Sequence, residues 1–251
     1  MEECLQYGLI DLEIALQSGL PMRFSTADVP MFSTTAVQRI LQPTHTKLYE
    51  QNINAELICM LSDVTVFVNT LNTIDKMSRL DPLDFSEQAF SLIHRLINFA
   101  PLQGQRPTNQ IEDLLQLVLL ATMTTALPNY TADQVRYDLL AKQVRRAIQQ
   151  YVATTNEDRN LLLWALFIGR ISILHDDDDT WIMPSIREIC KNLNVTAWPQ
   201  VQKVLRQYSW IHILHDKTAI KIWESVKRNK IDDNPTSSYS LFTVCSTVPV
   251  S

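Results

Sequence analysis

The stretch RNLLLWALFIGRISILHDDDDTW, residues 159–181, decides the fold, because it is mostly apolar and then carries four consecutive aspartates. A membrane-spanning helix needs about 20 predominantly apolar residues. The apolar run at 161–174 is shorter than that and contains Arg170. It therefore predicts a helix buried in the core of a soluble protein rather than a membrane span.

The segment HDDDD, residues 175–179, is the first candidate for a metal site. Hard cations need several oxygen ligands that converge, whereas consecutive carboxylates on a loop point apart and repel each other. The alternating ligands, central glycine and distant glutamate of an EF-hand do not accompany these aspartates. We expect a solvent-exposed turn without a metal ion, in which Asp179 or Thr180 caps the following helix.

Length and composition describe an ordinary globular chain. Its 251 residues can bury a substantial core, and the 46% apolar and 20% charged residues are typical of soluble proteins. Four glycines are too few for folds that depend on many tight turns or phosphate-binding loops. The net charge of −5 disfavours direct DNA binding, because the chain has no global field that attracts a polyanion.

The cysteines indicate a reducing compartment rather than a metal site or a disulfide framework. Cys4, Cys59, Cys190 and Cys245 lie far apart, and none of them has the close spacing that zinc ligands show. The N-terminal residues are acidic and have no basic region before an apolar run, so we expect no secretory signal.

Helical periodicity dominates the chain. From Ile53, apolar residues step by three or four positions to Ile74, which predicts a long helix. Capping patterns predict further helix starts at Asp84, Asn109, Thr131 and Thr196. The segment SWIHILH, 209–215, alternates only loosely and is interpreted as a helix end rather than a strand.

These patterns predict an all-α fold, a multi-helix orthogonal or layered bundle. Residues 1–230 are expected to form one helical domain, of which 159–223 is the most diagnostic part. Residues 231–251 are rich in serine and threonine, lack an apolar stripe and predict a disordered tail.

Candidate catalytic groups are sparse. His212, His215 and Asp216 could form part of a nucleophile-and-base arrangement, but neither a G-x-S-x-G motif nor a known cysteine signature accompanies them. The spacing of the two histidines predicts that one faces the core and the other faces solvent. His94 is interpreted as a histidine at the edge of the core. We therefore predict no catalytic, cofactor-binding or metal site, and a protein that is not an enzyme.

The basic stretch KTAIKIWESVKRNK, 217–230, has two interpretations. It could contact nucleic acid or an import receptor. The favoured interpretation is the solvated face of a last helix, because a nucleic-acid interface normally needs a larger basic patch.

The last third of the chain resembles a known family. The segments LLLWALFIGRIS (161–172), TWIMPSIREICKNLNV (180–195), TAWPQVQKVLRQYSWIHILHD (196–216) and IW (222–223) resemble the fungal-specific transcription factor domain over residues 159–223. The positions that carry the resemblance are Trp164, Gly169, Trp181, Trp198, Val201, Leu205, Trp210 and Trp223. The sequence departs from the family at Arg170, where a small residue often follows the glycine. It also lacks the binuclear zinc cluster of six cysteines that binds DNA in this family.

The resemblance implies a regulatory or interaction domain of a fungal transcription-factor-like protein, located in the nucleus, with the cytoplasm as the alternative. Its expected partners are proteins, as a homodimer or with co-regulators. We expect no direct specific DNA binding by this chain and no membrane association, while a small-molecule effector is possible. One alternative is a small-molecule-sensing or catalytic helical domain with a pocket between helices. Another is a helical scaffold that acts independently of DNA.

Overall fold

The computed structural model describes residues 12, 14–19, 53–73, 82–127 and 137–232. The described residues form helices joined by turns and contain no strand, which confirms the predicted all-α class for this part. The helices are α1 (Ala55–Thr73), α2 (Pro82–Phe99), α3 (Gln110–Thr124), α4 (Asp138–Gln150), α5 (Asn156–Ser172), a 3₁₀-helix (Asp176–Asp178), α6 (Asp179–Asn192), α7 (Trp198–Leu205) and α8 (His212–Asp232). The predicted disordered tail, 231–251, begins too early, because residues 231 and 232 still belong to α8. The rest of that tail and the predicted cap at Thr131 lie outside the described residues.

Helix α5 is the centre of the structure. It packs against α3, α4, α6, α7 and α8, and residues 163–168 of α5 are fully buried. The buried apolar side chains of the described residues form one cluster that extends from Leu12 to Val226. The prediction of a buried core helix is confirmed. None of the described helices combines the length and the apolarity needed to cross a membrane.

Local capping explains two of the helix starts. The Asn109 side chain accepts a hydrogen bond from the backbone N–H of Ile111, so the predicted start of α3 is confirmed. At the start of α5, the Thr155 hydroxyl accepts from the N–H of Asp158, and the Asp158 carboxylate accepts from the N–H of Thr155. This reciprocal pair satisfies two N–H groups that a helix terminus leaves without an intrahelical partner.

Three local predictions are wrong. Asp84 lies inside α2, which begins at Pro82, rather than before it. The N-cap of α7 is Ala197 rather than Thr196, because the Gln200 side chain accepts from the backbone N–H of both residues and completes the turn. The segment 209–215 is a helix beginning rather than a helix end, since α8 starts at His212.

The four aspartates are not equivalent. Asp176 and Asp177 are exposed, as predicted, but Asp178 is buried. The Asp178 carboxylate accepts two hydrogen bonds from Arg145 on α4, at 2.6 and 2.8 Å, and a third from the indole Nε1 of Trp181 at 3.0 Å. The prediction of a fully solvated turn is therefore wrong for Asp178, because an arginine that is remote in sequence neutralises it.

Arg170 is held by the same segment. Its Nε donates to Asp179 Oδ1 at 2.6 Å, and its Nη2 donates to Asp176. Asp179 is thus the first residue of α6 and an ion-pair partner rather than a cap, and Thr180 follows inside the helix. The acidic turn neutralises two arginines, one from α4 and one from α5.

Candidate functional site

The positions that carry the family resemblance form packing contacts around α5. The Trp164 ring is fully buried and stacks on Tyr208, with ring centroids 5.1 Å apart. Trp198 packs at a tilt against Phe167 of α5 at 6.4 Å. Val201 and Leu205 are fully buried on α7. These contacts attach α7 and the turn after it to the central helix.

The remaining positions of this set do not meet at one point. An ideal Cβ on Gly169 would lie 2.9 Å from Leu174 Cδ1 and 3.6 Å from Ile148 Cδ1, so the glycine lies in a crowded part of the core. Trp181 binds Asp178, and Trp223 is buried on α8 beneath the Lys227 ammonium group, 5.2 Å from the ring centroid. Their roles in these contacts are structural.

Asp216 connects α7 with α8. Its carboxylate accepts hydrogen bonds from Trp210 Nε1 at 2.8 Å, Arg206 Nη2 at 3.0 Å and Gln202 Nε2 at 3.1 Å. The Trp210 ring in turn lies edge-on to His215, with centroids 4.8 Å apart. The capacity of Asp216 to accept hydrogen bonds is therefore largely used in holding the first turn of α8.

His215 is fully buried, and its neighbours define its tautomer. The backbone N–H of Ile211 donates to Nδ1 at 3.2 Å, so the ring proton lies on Nε2. Nε2–H then donates to the Thr125 hydroxyl at 2.9 Å, and this hydroxyl donates to the Thr122 carbonyl at 2.7 Å. Burial lowers the pKa of His215 to about 3, although the nearby Asp216 carboxylate acts in the opposite direction. The imidazole is therefore neutral at physiological pH.

His212 and His215 point to different surroundings, as their spacing predicts. His212 is only half-buried, and its backbone N–H donates to Asn72 Oδ1 at 3.0 Å. Asn72 also donates to the Trp210 carbonyl at 2.8 Å, which joins the end of α1 to the start of α8. His94 is half-buried on α2 beside Asn98, and His175 precedes the 3₁₀-helix.

An apolar pocket of about 390 Å³ lies beside His215. Its walls come from α1, α2, α5 and α8 and from the end of α3. The lining residues are Leu71, Phe85, Thr125, Ala126, Leu127, Ile171, Ile213, Leu214, His215 and Thr218. None of these lining side chains is charged, and their polar groups are two threonine hydroxyls and the neutral imidazole. A mostly apolar cleft with a few convergent polar groups is typical of small-molecule sites.

The mouth of this pocket is formed by the first turns of α8. Ile213 and Leu214 line the pocket and are 64% and 42% exposed, which is unusual for large aliphatic side chains. The Thr218 hydroxyl is exposed and has no hydrogen-bond partner in the part of the chain that the structure describes. Lys217 and Lys221 are exposed on the same helix. The basic side chains of the predicted stretch that the structure describes, Lys217, Lys221, Lys227 and Arg228, are thus exposed on α8, in agreement with its favoured interpretation.

A second pocket, of about 530 Å³, lies between α4, α5 and α6. Its lining mixes the apolar side chains of Leu162, Leu166 and Trp181 with the charged side chains of Arg159 and Glu188. Beside it, the Asp158 carboxylate is partly buried, which raises its pKa, but hydrogen bonds from Thr155 and Thr154 outweigh burial and leave the pKa below its ordinary value. Asp158 caps α5 and accepts from Tyr151, so it is already engaged.

The sequence identified His215 as a candidate and left a pocket between helices as an alternative, but it indicated neither Thr125 nor the position of the pocket. The lining residues come from five separate elements, and no local pattern marks them as neighbours. Among the described residues, no group of three or more histidine, cysteine, aspartate or glutamate side chains could hold a metal ion. No protein-family model, no curated protein and no solved structure matches this chain.

Proposed function

We propose that this chain is a helical regulatory domain, of the kind found in fungal transcription-factor-like proteins, that binds a small apolar effector in the pocket beside His215. The observation that carries the proposal is the pocket of about 390 Å³, whose lining has no charged side chain. Burial of an apolar ligand there contributes roughly 25 cal/mol per Å² of apolar surface removed from water.

The chemistry of the pocket favours binding over catalysis. Both ring nitrogens of His215 are engaged in hydrogen bonds, and its neutral form persists down to a pH of about 3. A general base needs a pKa near the working pH and access to the proton that it removes. His215 has neither, so it acts as a neutral part of the pocket wall.

The position of α8 favours a regulatory role. Its first turn forms the mouth of the pocket and is also held by Asn72 and by Thr125. A ligand that contacts Ile213 and Leu214 stabilises the arrangement of α8 in which these residues face it. The exposed face of the same helix is available to a protein partner, such as a second copy of the chain or a co-regulator.

The test is saturable binding of an uncharged apolar probe, 1-decanol, to the purified full chain, followed by titration calorimetry and by the melting temperature. Leu214→Trp should fill the mouth of the pocket and abolish binding. Ile220→Trp is the matched control, because Ile220 is similarly exposed (38%) on the same helix but does not line the pocket. Absence of saturable binding, or equal binding by both variants, would contradict the proposal.

The regulatory role has its own test. The chain is fused to a DNA-binding module whose target sequence is known. The output of a reporter gene is then measured with and without 1-decanol. Leu214→Trp should change the reporter output while the amount of folded protein stays constant, and Ile220→Trp should leave the output unchanged. A reporter that responds to neither the ligand nor Leu214→Trp would count against regulation through this pocket.

A further inference from the structure

We propose that the ligand is an amphipathic carboxylate, with its apolar tail inside the pocket and its carboxylate at the mouth beside Thr218, Lys217 and Lys221. This inference rests on the proposed function, because it names the ligand class of the same pocket.

Helix geometry places the two lysines at the mouth. Leu214 and Thr218 are four residues apart on α8 and both line the pocket. Lys221 follows Thr218 by three residues, and residues three or four apart share one helix face. At about 1.5 Å per residue, Lys221 lies about 4.5 Å further along the helix axis than Thr218. Lys217 follows the lining residue Ile213 by four, so it lies on the adjacent edge of that face.

The charges on α8 favour an anion there. Lys217, Lys221, Lys227 and Arg228 are exposed, and Glu224 is the one acidic side chain among the exposed residues of this helix that the structure describes. Lys217 and Lys221 have no ion-pair partner among the described residues. On α2, Asp84 precedes the lining residue Phe85 and is exposed, so it offsets part of this positive charge. Asp216, next to Lys217 in the chain, is already paired with Arg206. Among the described residues, Lys217 and Lys221 therefore outnumber Asp84 at the mouth.

The interior of the pocket requires that the charge stays at the mouth. Burying an unpaired carboxylate in an apolar lining is strongly unfavourable, whereas burying methylene groups is favourable. At the mouth, the carboxylate keeps water, accepts a hydrogen bond from the Thr218 hydroxyl and lies near two ammonium groups. A cationic amphiphile with the same tail would be repelled at this position.

The experiment compares three ligands with one tail and different head groups, decanoate, 1-decanol and decylammonium, by titration calorimetry on the full chain. We expect decanoate to bind more tightly than decanol, and decylammonium to bind most weakly. Octanoate should bind more weakly than decanoate by about fourfold for each methylene group lost from the pocket. Raising the salt concentration should weaken decanoate binding and leave decanol binding unchanged.

Variants assign the effect to the two lysines. Lys217→Gln combined with Lys221→Gln should weaken decanoate binding about three- to tenfold, because each exposed ion pair contributes only modestly. Decanol binding should not change. Lys142→Gln is the matched control, since Lys142 is exposed on α4, which does not line the pocket. Thr218→Val should weaken decanoate binding further when combined with the lysine substitutions.

The outcomes separate the inference from the proposed function. If decanol and decanoate bind equally well, and the lysine variants bind decanoate like the wild type, then the pocket is an apolar site and the carboxylate inference is overturned. If none of the three ligands binds, the proposed function itself fails. If decylammonium binds most tightly, the sign of the charge at the mouth has been assigned wrongly.

Discussion

Thr125 and His215 are 90 residues apart in the sequence, yet Thr125 Oγ1 and His215 Nε2 are hydrogen-bonded at 2.9 Å inside the core. The contact joins the end of α3 to the first turn of α8 at the wall of the pocket. It completes a series of hydrogen bonds from the N–H of Ile211 to the His215 imidazole, from the imidazole to the Thr125 hydroxyl, and from the hydroxyl to the Thr122 carbonyl. These hydrogen bonds give both ring nitrogens of His215 and the Thr125 hydroxyl a partner.

The burial of His215 predicts a pH-dependent stability. Its pKa is about 3 in the folded chain, below the ordinary value of 6.5, so the unfolded state binds the proton more tightly. The free energy of unfolding is therefore highest above a pH of about 6.5 and falls as the pH drops through the window from 6.5 to 3. Between pH 6.5 and 5, this single group should remove about 1.6 kcal/mol.

Urea denaturation at a series of pH values measures this loss. His215→Gln should lower stability at neutral pH and make the decline between pH 6.5 and 5 shallower. His212→Gln removes a half-exposed imidazole from the same helix and should keep the slope of the wild type. An unchanged slope in His215→Gln would show that another group is responsible.

Thr125→Val is expected to destabilise the fold by about 1–3 kcal/mol, because it leaves the buried His215 Nε2–H without an acceptor. Thr125→Ser keeps the hydroxyl and should cost less, mainly through the lost methyl group. Chemical denaturation of both variants is the measurement. A loss in Thr125→Ser that equals or exceeds the loss in Thr125→Val would show that the hydroxyl does not dominate the role of Thr125.

Asp178→Asn should cost about 1.5–3 kcal/mol, because the amide has one acceptor oxygen for the two Arg145 hydrogen bonds and carries no negative charge. Asp177→Asn is the matched control on the adjacent exposed residue and should change stability by less than about 0.5 kcal/mol.

The hydrogen bonds from Arg145 lower the pKa of Asp178 to about 2. The stabilisation that the Asp178–Arg145 pair contributes is therefore fully present above the ordinary pKa of 3.8. It is lost as the pH falls toward 2.

The Asp178 prediction is checked by the midpoint of thermal unfolding at neutral pH and at a pH near 2. The difference between Asp178→Asn and the wild type should shrink in acid, where the Asp178 carboxylate of the wild type takes up a proton and loses its charge. A constant difference at both pH values would show that the geometry of the turn matters more than its charge.

Trp164→Ala should cost about 3–5 kcal/mol, because Trp164 is fully buried and stacks on Tyr208. That is a large part of the 5–15 kcal/mol that typically stabilises a domain. Trp164→Phe should cost less, since it keeps a ring against Tyr208 and removes a buried indole Nε1 that has no hydrogen-bond partner among the described residues. Equilibrium unfolding of both variants tests the order, and a more severe loss in Trp164→Phe would contradict it.

Local patterns predicted the helices because the relevant signals lie close together in the chain. The apolar run of α5 and the Asn109 cap of α3 depend on residues a few positions apart. The predictions at Asp84 and Thr196 were wrong by a few residues at most, since several neighbouring side chains can satisfy the same N–H groups. The resemblance to the fungal-specific transcription factor domain stays a prediction, and its signature residues are found in packing contacts.

The amino-acid sequence by itself determined the all-α class of the described residues and the burial of α5. It also determined that His212 and His215 differ in burial, because periodicity and spacing are local properties. Only the tertiary structure decided which of four identical aspartates is buried. Asp178 is the one that contacts Arg145, which lies 33 residues away in the sequence. The pocket was decided in the same way. Its lining comes from α1, α2, α5, α8 and the end of α3, and the positions of these elements follow from packing that no short stretch of sequence encodes.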